Sequence, residues 1–178
     1  MNYKNDIKIA AESIRLLKLD SIFDINDCIC DLYCVPSHSD YTYYVRIYKV
    51  SDKYNAVYAR TEINDIFGHT VYCYTFESAL EADRHSAKVG KIICGYFSPS
   101  EKLIGKLKSM MELFPVKDCI SDGNYIIIDG VWQVIRRWKN GSPENTVSFE
   151  NTLAHSIFER EFAETVCNMY EFIQDELK

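Results

Sequence analysis

Apolar residues recur along the chain with two periods, and these periods predict where helices and strands lie. Near the N-terminus, Ile7, Ala10, Ile14 and Leu17 repeat at helical spacing, whereas residues 41–50 alternate between inward and outward positions as strands do. On this basis we predict helices over 4–19, from Ser78 onward, over 98–114 and over 152–177. We predict strands over 28–35, 41–50, 56–63, 70–76 and 90–97.

Local signals mark the starts of the two middle helices. Ser78 with Glu81 three residues later forms a capping box, in which each side chain satisfies a backbone amide of the other. Ser98, Pro99 and Glu101 combine an N-cap hydroxyl, a proline at the first helical position and an acid at the third. Both middle helices are therefore predicted with defined starts.

Two turns predict hairpins. A polar loop at 51–55 separates the strands 41–50 and 56–63 by a length typical of hairpins. Asp129-Gly130 tolerates the positive φ of a tight turn, so we predict a second hairpin over 124–138 in which Ile128 pairs with Val131. Both of its faces are apolar, which favours a central position in the sheet.

The order of these elements predicts one α+β domain over residues 1–178. We expect a mostly antiparallel, twisted sheet of about six to seven strands, packed by an N-terminal helix, two middle helices and a long C-terminal helix. With 178 residues, of which 47% are hydrophobic, the chain can bury a core without disulfides or metal.

Cysteine use and the absence of long apolar runs predict a cytoplasmic protein. Seven cysteines, an odd number, are scattered through apolar runs, which is not the pattern of a secreted disulfide framework. Charges interrupt the N-terminal segment, unlike a signal peptide, and there is no run of 18 apolar residues. We therefore expect reduced thiols and no membrane partner.

The net charge of −6 lies entirely in the C-terminal segment. Residues 144–178 hold eight acids and two bases, whereas residues 1–143 hold 18 of each. Because this segment is negatively charged, as nucleic acid and anionic lipid are, neither is predicted as its partner. A basic protein partner is predicted instead.

Cys28, Cys30, Cys34 and His38 are the residues to weigh as a zinc site. On a strand, the three cysteines would share one face, but Cys28 and Cys34 would lie about 20 Å apart, too far for one tetrahedral ion. We therefore predict core cysteines, and no metal or cofactor.

The first hairpin is rich in tyrosine and arginine, which are enriched at interface hot spots. If the register brings the alternating sets of both strands together, one face carries Tyr44, Arg46, Tyr48, Tyr58, Arg60 and Glu62. These six residues are our predicted binding face. The alternative is a half-buried sheet face whose hydroxyl groups contact water.

We predict no catalytic residue, because no nucleophile elbow, P-loop or dinucleotide fingerprint is present. The interleaved Trp132, Arg136, Arg137 and Trp138 could suggest nucleic acid, but cation–π packing within a sheet explains them.

The predicted function is a small acidic binding protein of the immunity or inhibitor type, docking to a basic protein such as a nuclease toxin. Glu159, Glu161 and Glu164 would steer the partner. The alternative is a small-ligand-binding protein or enzyme with a pocket between the sheet and the C-terminal helix, lined by Tyr44, Arg46, Arg60 and Glu62. No oligomeric state follows from the sequence.

Overall fold

A computed structural model of the chain describes residues 3–36, 41–62, 75–84, 91–120 and 130–177. Its strands are β1 (Cys28–Pro36), β2 (Tyr43–Val50), β3 (Lys53–Glu62), β4 (Lys91–Phe97), β5 (Cys119–Ile120), β6 (Val131–Lys139) and β7 (Ser142–Glu150). Within the described residues, they form one sheet in the order β4-β3-β2-β1-β6-β7-β5. Every neighbouring pair is antiparallel except β5 with β7.

Helices cover both faces of this sheet. They are α1 (Tyr3–Leu16), α2 (Phe76–Arg84), α3 (Glu101–Glu112), α4 (Asn151–Ile157) and α5 (Arg160–Glu176). One buried cluster joins α1 and α2 to what we name the α1 face of the sheet. A second cluster joins α3, α4 and α5 to the opposite face, named the α5 face. The predicted α+β class, with its mostly antiparallel sheet, N-terminal helix and long C-terminal helix, is confirmed.

The central strand β1 shows why the sheet has two covered faces. Its side chains are buried almost throughout, with Leu32 in the cluster of the α5 face and Tyr33 in that of the α1 face. A strand buried on both sides is apolar at consecutive positions, as the predicted strand 28–35 is. Two short 3-10 helices, Asp20–Ile22 and Ile25–Asp27, connect α1 to β1.

The predicted hairpin over 124–138 is wrong. Residues 124–129 lie outside the described part of the chain, but β6 pairs with β1 along one edge and with β7 along the other. Neither edge is therefore open to a strand preceding Gly130. The hairpin that forms joins β6 to β7 through Asn140-Gly141, where both residues have positive φ (50° and 74°) as a type I′ turn requires.

The C-terminal helix is interrupted where the sequence predicts continuity. Phe158 and Glu159 are extended between α4 and α5, with ψ of 161° and 148°. The Phe158 ring packs edge-on against Phe149 of β7 and Phe162 of α5, with centroids 5.3 and 5.0 Å away. We attribute the break to this aromatic packing, since a helical Phe158 would place its ring differently.

Both middle helices start at a residue other than the predicted one. The α3 N-cap is Ser100, whose hydroxyl accepts from the Leu103 amide, two residues beyond the predicted Ser98. The α2 cap is Thr75, which accepts from the Ser78 amide. Residues 70–74 of the predicted strand 70–76 lie outside the described residues. Among the described helices, none is long and apolar enough to cross a membrane.

Candidate functional site

The strand register separates the six residues that the sequence places on one binding face. Tyr43 pairs with Arg60 and Arg46 with Val57, so Arg46 lies on the α1 face and Arg60 on the α5 face. The predicted five-residue loop would have paired Arg46 with Arg60. The real loop contains only Ser51 and Asp52, three residues fewer than predicted. Because side chains alternate between the two faces of a sheet, a register shift by an odd number of residues moves every side chain of β3 to the other face. The prediction of one shared face is therefore wrong.

On the α1 face, Arg46 belongs to a buried polar network with Asp31 and Arg136. Asp31 on the central strand β1 lies between Arg46 on β2 and Arg136 on β6. Arg136 donates to both carboxylate oxygens of Asp31, from Nε at 2.8 Å and from Nη2 by a short contact. The Tyr44 hydroxyl also donates to Asp31, at 2.9 Å. Arg46 donates in turn to the hydroxyls of Tyr44 (3.2 Å) and Tyr48 (3.3 Å).

Apart from Arg136, the members of this network are shielded from solvent. Tyr44 and Tyr48 are fully buried, Asp31 is 1% exposed and Arg46 is 9% exposed. Burial raises the pKa of Tyr44 well above its ordinary value, with the Asp31 charge adding to the rise, so its phenol stays protonated. Tyr44 and Tyr48 thus form part of the core, not a contact surface for a macromolecule.

On the α5 face, Arg60 holds the end of the C-terminal helix. Its Nη1 donates to the Leu177 carbonyl at 2.7 Å, and its guanidinium lies over the Tyr41 ring with Cζ 5.2 Å from the centroid. A cation at a helix C-terminus also interacts favourably with the helix dipole. Tyr58 covers Gly95 of β4, where an added Cβ would lie 2.8 Å from its ring. The side chain of Glu62, at the end of β3, lies outside the described residues.

Among the described residues, core side chains of α5 pack directly against the sheet where a ligand pocket is predicted. Val166, Met169 and Ile173 of α5 are fully buried against the strands. The Tyr43 and Tyr41 hydroxyls donate to α5 carbonyls, of Tyr170 (3.5 Å) and Gln174 (3.4 Å). Arg60 therefore has a structural partner here, and Arg46 lies on the other face.

The three cysteines weighed as zinc ligands do not share a face. A register irregularity between Cys28 and Cys30 places Cys28 in the cluster of the α1 face, while Cys30 and Cys34 join the α5 face. His38 lies outside the described residues. Burial raises the pKa of Cys28 and Cys30 well above the ordinary thiol value, which disfavours the thiolate that binds metal.

The predicted acids Glu159, Glu161 and Glu164 are exposed at the start of α5. Glu164 accepts from Arg160 Nε at 2.8 Å, and this neighbour lowers the pKa of Glu164. Glu159 and Glu161 have no ion pair within the described part of the chain. Their carboxylates are therefore available to a partner.

Glu159 also lines an apolar pocket of about 370 Å³, which we name the α5 pocket. Its walls come from the segment after α3 and from the break between α4 and α5. The lining residues are Leu113, Phe114, Pro115, Val116, Cys119, Ile157, Phe158, Glu159 and Phe162. Phe114 and Phe158 each contact the Phe162 ring, at 5.9 and 5.0 Å between centroids, so the floor is a packed aromatic cluster.

The mouth of the α5 pocket is formed by exposed apolar side chains. Val116 is 87% exposed, and Leu113 and Ile157 are each 37% exposed. The loop that carries Val116 is anchored to β7 at two points, because Asn145 Nδ2 donates to the Val116 carbonyl at 2.8 Å and Asp118 accepts from the Thr146 amide at 2.8 Å. Val116 is thus displayed to solvent by a fixed backbone.

A second pocket, of about 470 Å³, lies between α1 and α2. Charged and polar side chains, including Lys8, Glu12, Glu77 and Glu81, make up much of its lining. Its charges are of both signs, and none of the predicted site residues lies in it.

Sequence reasoning finds the acids of this site but not its apolar part. Leu113, Phe114 and Phe158 fit a helical apolar stripe, so the sequence assigns them to the core. Val116 and Cys119 lie in a short segment with no periodicity. The signal that could have identified them is Pro115, which ends α3 and places apolar residues in a loop.

Comparison of the chain with protein-family models, with curated proteins and with solved structures found no match.

Proposed function

We propose that this protein is a binding protein that docks a basic protein partner on the α5 pocket and the acids beside it. The observation that carries the proposal is the position of Glu159, which lines an apolar pocket and begins the acidic surface of α5. A pocket for an apolar side chain next to unpaired carboxylates fits a partner that presents an apolar residue flanked by lysine or arginine.

The charges of the two chain segments that carry the pocket support a basic partner. Residues 112–118 and 155–164 contain five acids (Glu112, Asp118, Glu159, Glu161, Glu164) and two bases (Lys117, Arg160), a balance of −3. Along the rest of α5, Glu171, Asp175 and Glu176 add acids without a base before Lys178. A surface of one sign raises the association rate of an oppositely charged partner.

The apolar rim supports docking of a protein surface. Exposed large apolar side chains that occur singly are ordinary, whereas a group around a concave site marks a contact surface. Leu113, Val116 and Ile157 form such a group. Ile120, four residues after Val116 on the edge strand β5, is also 49% exposed. The anchored Val116 loop needs little ordering upon binding, which lowers the entropic cost of association.

An inhibitor or immunity-type role fits this chemistry, because the cationic active site of a nuclease is a basic partner that an acidic surface covers. The experiment captures proteins on the tagged chain from a lysate of its native cells at low salt, and elutes them by raising the salt concentration. We expect one stoichiometric basic protein in the eluate.

Two matched variants make this capture specific to the surface. Glu159→Gln with Glu161→Gln removes one carboxylate that lines the pocket and one in the first turn of α5, and should slow association several-fold. Asp52→Asn with Glu77→Gln removes two exposed carboxylates elsewhere, on the β2–β3 turn and on α2, and should retain the partner. An eluate without a basic protein, or equal capture by both variants, contradicts the proposal.

A further inference from the structure

A surplus of positive charge lies in the buried network on the α1 face, remote from the α5 pocket. Among the residues that the structure describes, its charged members are Asp31, Arg46 and Arg136, which sum to +1. Within the described residues, Asp31 is the carboxylate that pairs with these arginines. The two tyrosines that accept from Arg46 are neutral groups, so they satisfy its hydrogen bonds without balancing its charge.

The same charged groups act on the thiol of Cys28. Burial raises its pKa, the Asp31 carboxylate adds to the rise, and Arg46 and Arg136 oppose it. A buried cation in excess over its counter-charges is unfavourable unless an anion joins it.

Donors for such an anion are present on both guanidinium groups. Arg46 uses Nε and Nη1 for the two tyrosines, and Arg136 directs Nε and Nη2 at Asp31. Each guanidinium carries five N–H donors, so both retain donors for a further acceptor. Planar guanidinium forks match the oxygen spacing of carboxylate and phosphate groups.

Both guanidinium groups lie near the indole of Trp138. Arg46 Cζ lies 5.3 Å and Arg136 Cζ 5.6 Å from the centroid of its ring. The Trp138 indole nitrogen is itself buried without a hydrogen-bond partner. The Arg136 side chain is 20% exposed, which gives the network an opening to solvent at this side.

We propose that Arg46 and Arg136, beside Trp138, form a binding site for one small free oxyanion of the carboxylate or phosphate class. The site lies on the face of the sheet opposite the α5 pocket, so it goes beyond the docking function proposed above. Binding of the anion neutralises the surplus charge and supplies acceptors to the remaining guanidinium donors.

The test titrates the full chain separately with inorganic phosphate and with acetate, each against chloride at matched ionic strength. Trp138 fluorescence in a Trp132→Phe background and the thermal midpoint are the two readouts. We expect saturable binding of at least one oxyanion and none of chloride; the anion that binds identifies the class. A response that is identical in chloride, or that does not saturate for either oxyanion, overturns the proposal.

Conservative variants locate the site. Two single variants, Arg46→Lys and Arg136→Lys, keep the positive charge but remove the planar guanidinium group. Each should weaken oxyanion binding at least about tenfold. The control is Arg137→Lys, one residue along β6 and on the other face, where Arg137 pairs with Glu144 at 2.9 Å. Undiminished binding in a folded Arg46→Lys or Arg136→Lys protein overturns the assignment, even where the other variant fails to fold.

Discussion

Asn145 donates its side-chain amide to the carbonyl oxygen of Val116 at 2.8 Å, and so fixes the loop that forms one wall of the α5 pocket. The same side chain accepts from Arg137 Nη2 at 3.1 Å, which ties the loop to β6 as well as β7. Asn145 is itself 8% exposed, and both of these bonds are part-buried.

Asn145→Ala should lower the free energy of unfolding by about 1–2 kcal/mol, because it removes two part-buried hydrogen bonds, one of them to the Val116 carbonyl. Urea denaturation measures the change. Asn168→Ala, at an exposed position of α5, is the control and should leave the midpoint unchanged. Equal midpoints for the two variants would show that the loop does not depend on Asn145.

Val116→Ser separates docking from stability. Since the Val116 side chain is 87% exposed, the substitution should change the free energy of unfolding by less than about 0.5 kcal/mol. It should nevertheless weaken binding of the basic partner, because the rim of the pocket loses an apolar contact. Isothermal titration with the captured partner measures the affinity, and an unchanged dissociation constant would exclude Val116 from the interface.

Asp31→Asn should be the most destabilising single change to the network on the α1 face. It leaves Arg136 without its carboxylate and the Tyr44 hydroxyl with a weaker acceptor, at a cost of about 3 kcal/mol. Glu164→Gln breaks an exposed pair with Arg160 and should leave the urea midpoint unchanged. Similar midpoints for both variants would mean that Asp31 is not an essential counter-charge.

Asp6 should make stability depend on pH. Burial raises its pKa above the ordinary value, although its carboxylate accepts from the Glu77 amide at the start of α2. Because the folded pKa exceeds the unfolded one of about 3.9, the stability from this group is complete below the unfolded pKa and is lost as pH rises through the folded pKa.

An Asp6→Asn variant lacks that titration, so it isolates the contribution of Asp6. The free energy of unfolding of the wild type minus that of the variant should fall as pH is raised from 3.5 to 7. Denaturation at a series of pH values measures this difference. A difference that is constant or rises with pH would show that the folded pKa of Asp6 is not raised.

The sequence predicts the elements with strong periodicity and fails where short range signals compete. Alternation in β2 and the apolar stripe of α1 suffice to identify them. By contrast β7 begins with polar residues, and its apolar alternation is confined to Val147 and Phe149. Asn140-Gly141 and Asp129-Gly130 are equivalent turn signals by composition, and only the pairing of β6 with both neighbours decides between them.

The candidate site was predictable in part for the same physical reason. Exposed acids follow from composition, so Glu159, Glu161 and Glu164 were identified. The positions of Arg46 and Arg60 depend on whether the β2–β3 loop has two residues or five, and an odd difference reverses the face. The α5 pocket depends on the break at Phe158, which arises from tertiary packing.

Hydrogen–deuterium exchange of the chain with and without its captured partner tests the docking surface most directly. Our account predicts slower exchange on binding in residues 113–120 and 157–164, which carry the pocket walls and the first acids of α5. The network on the α1 face, in β2 and β6, should be unaffected. Protection confined to α1, α2 or β4, with none at the α5 pocket, would contradict the account.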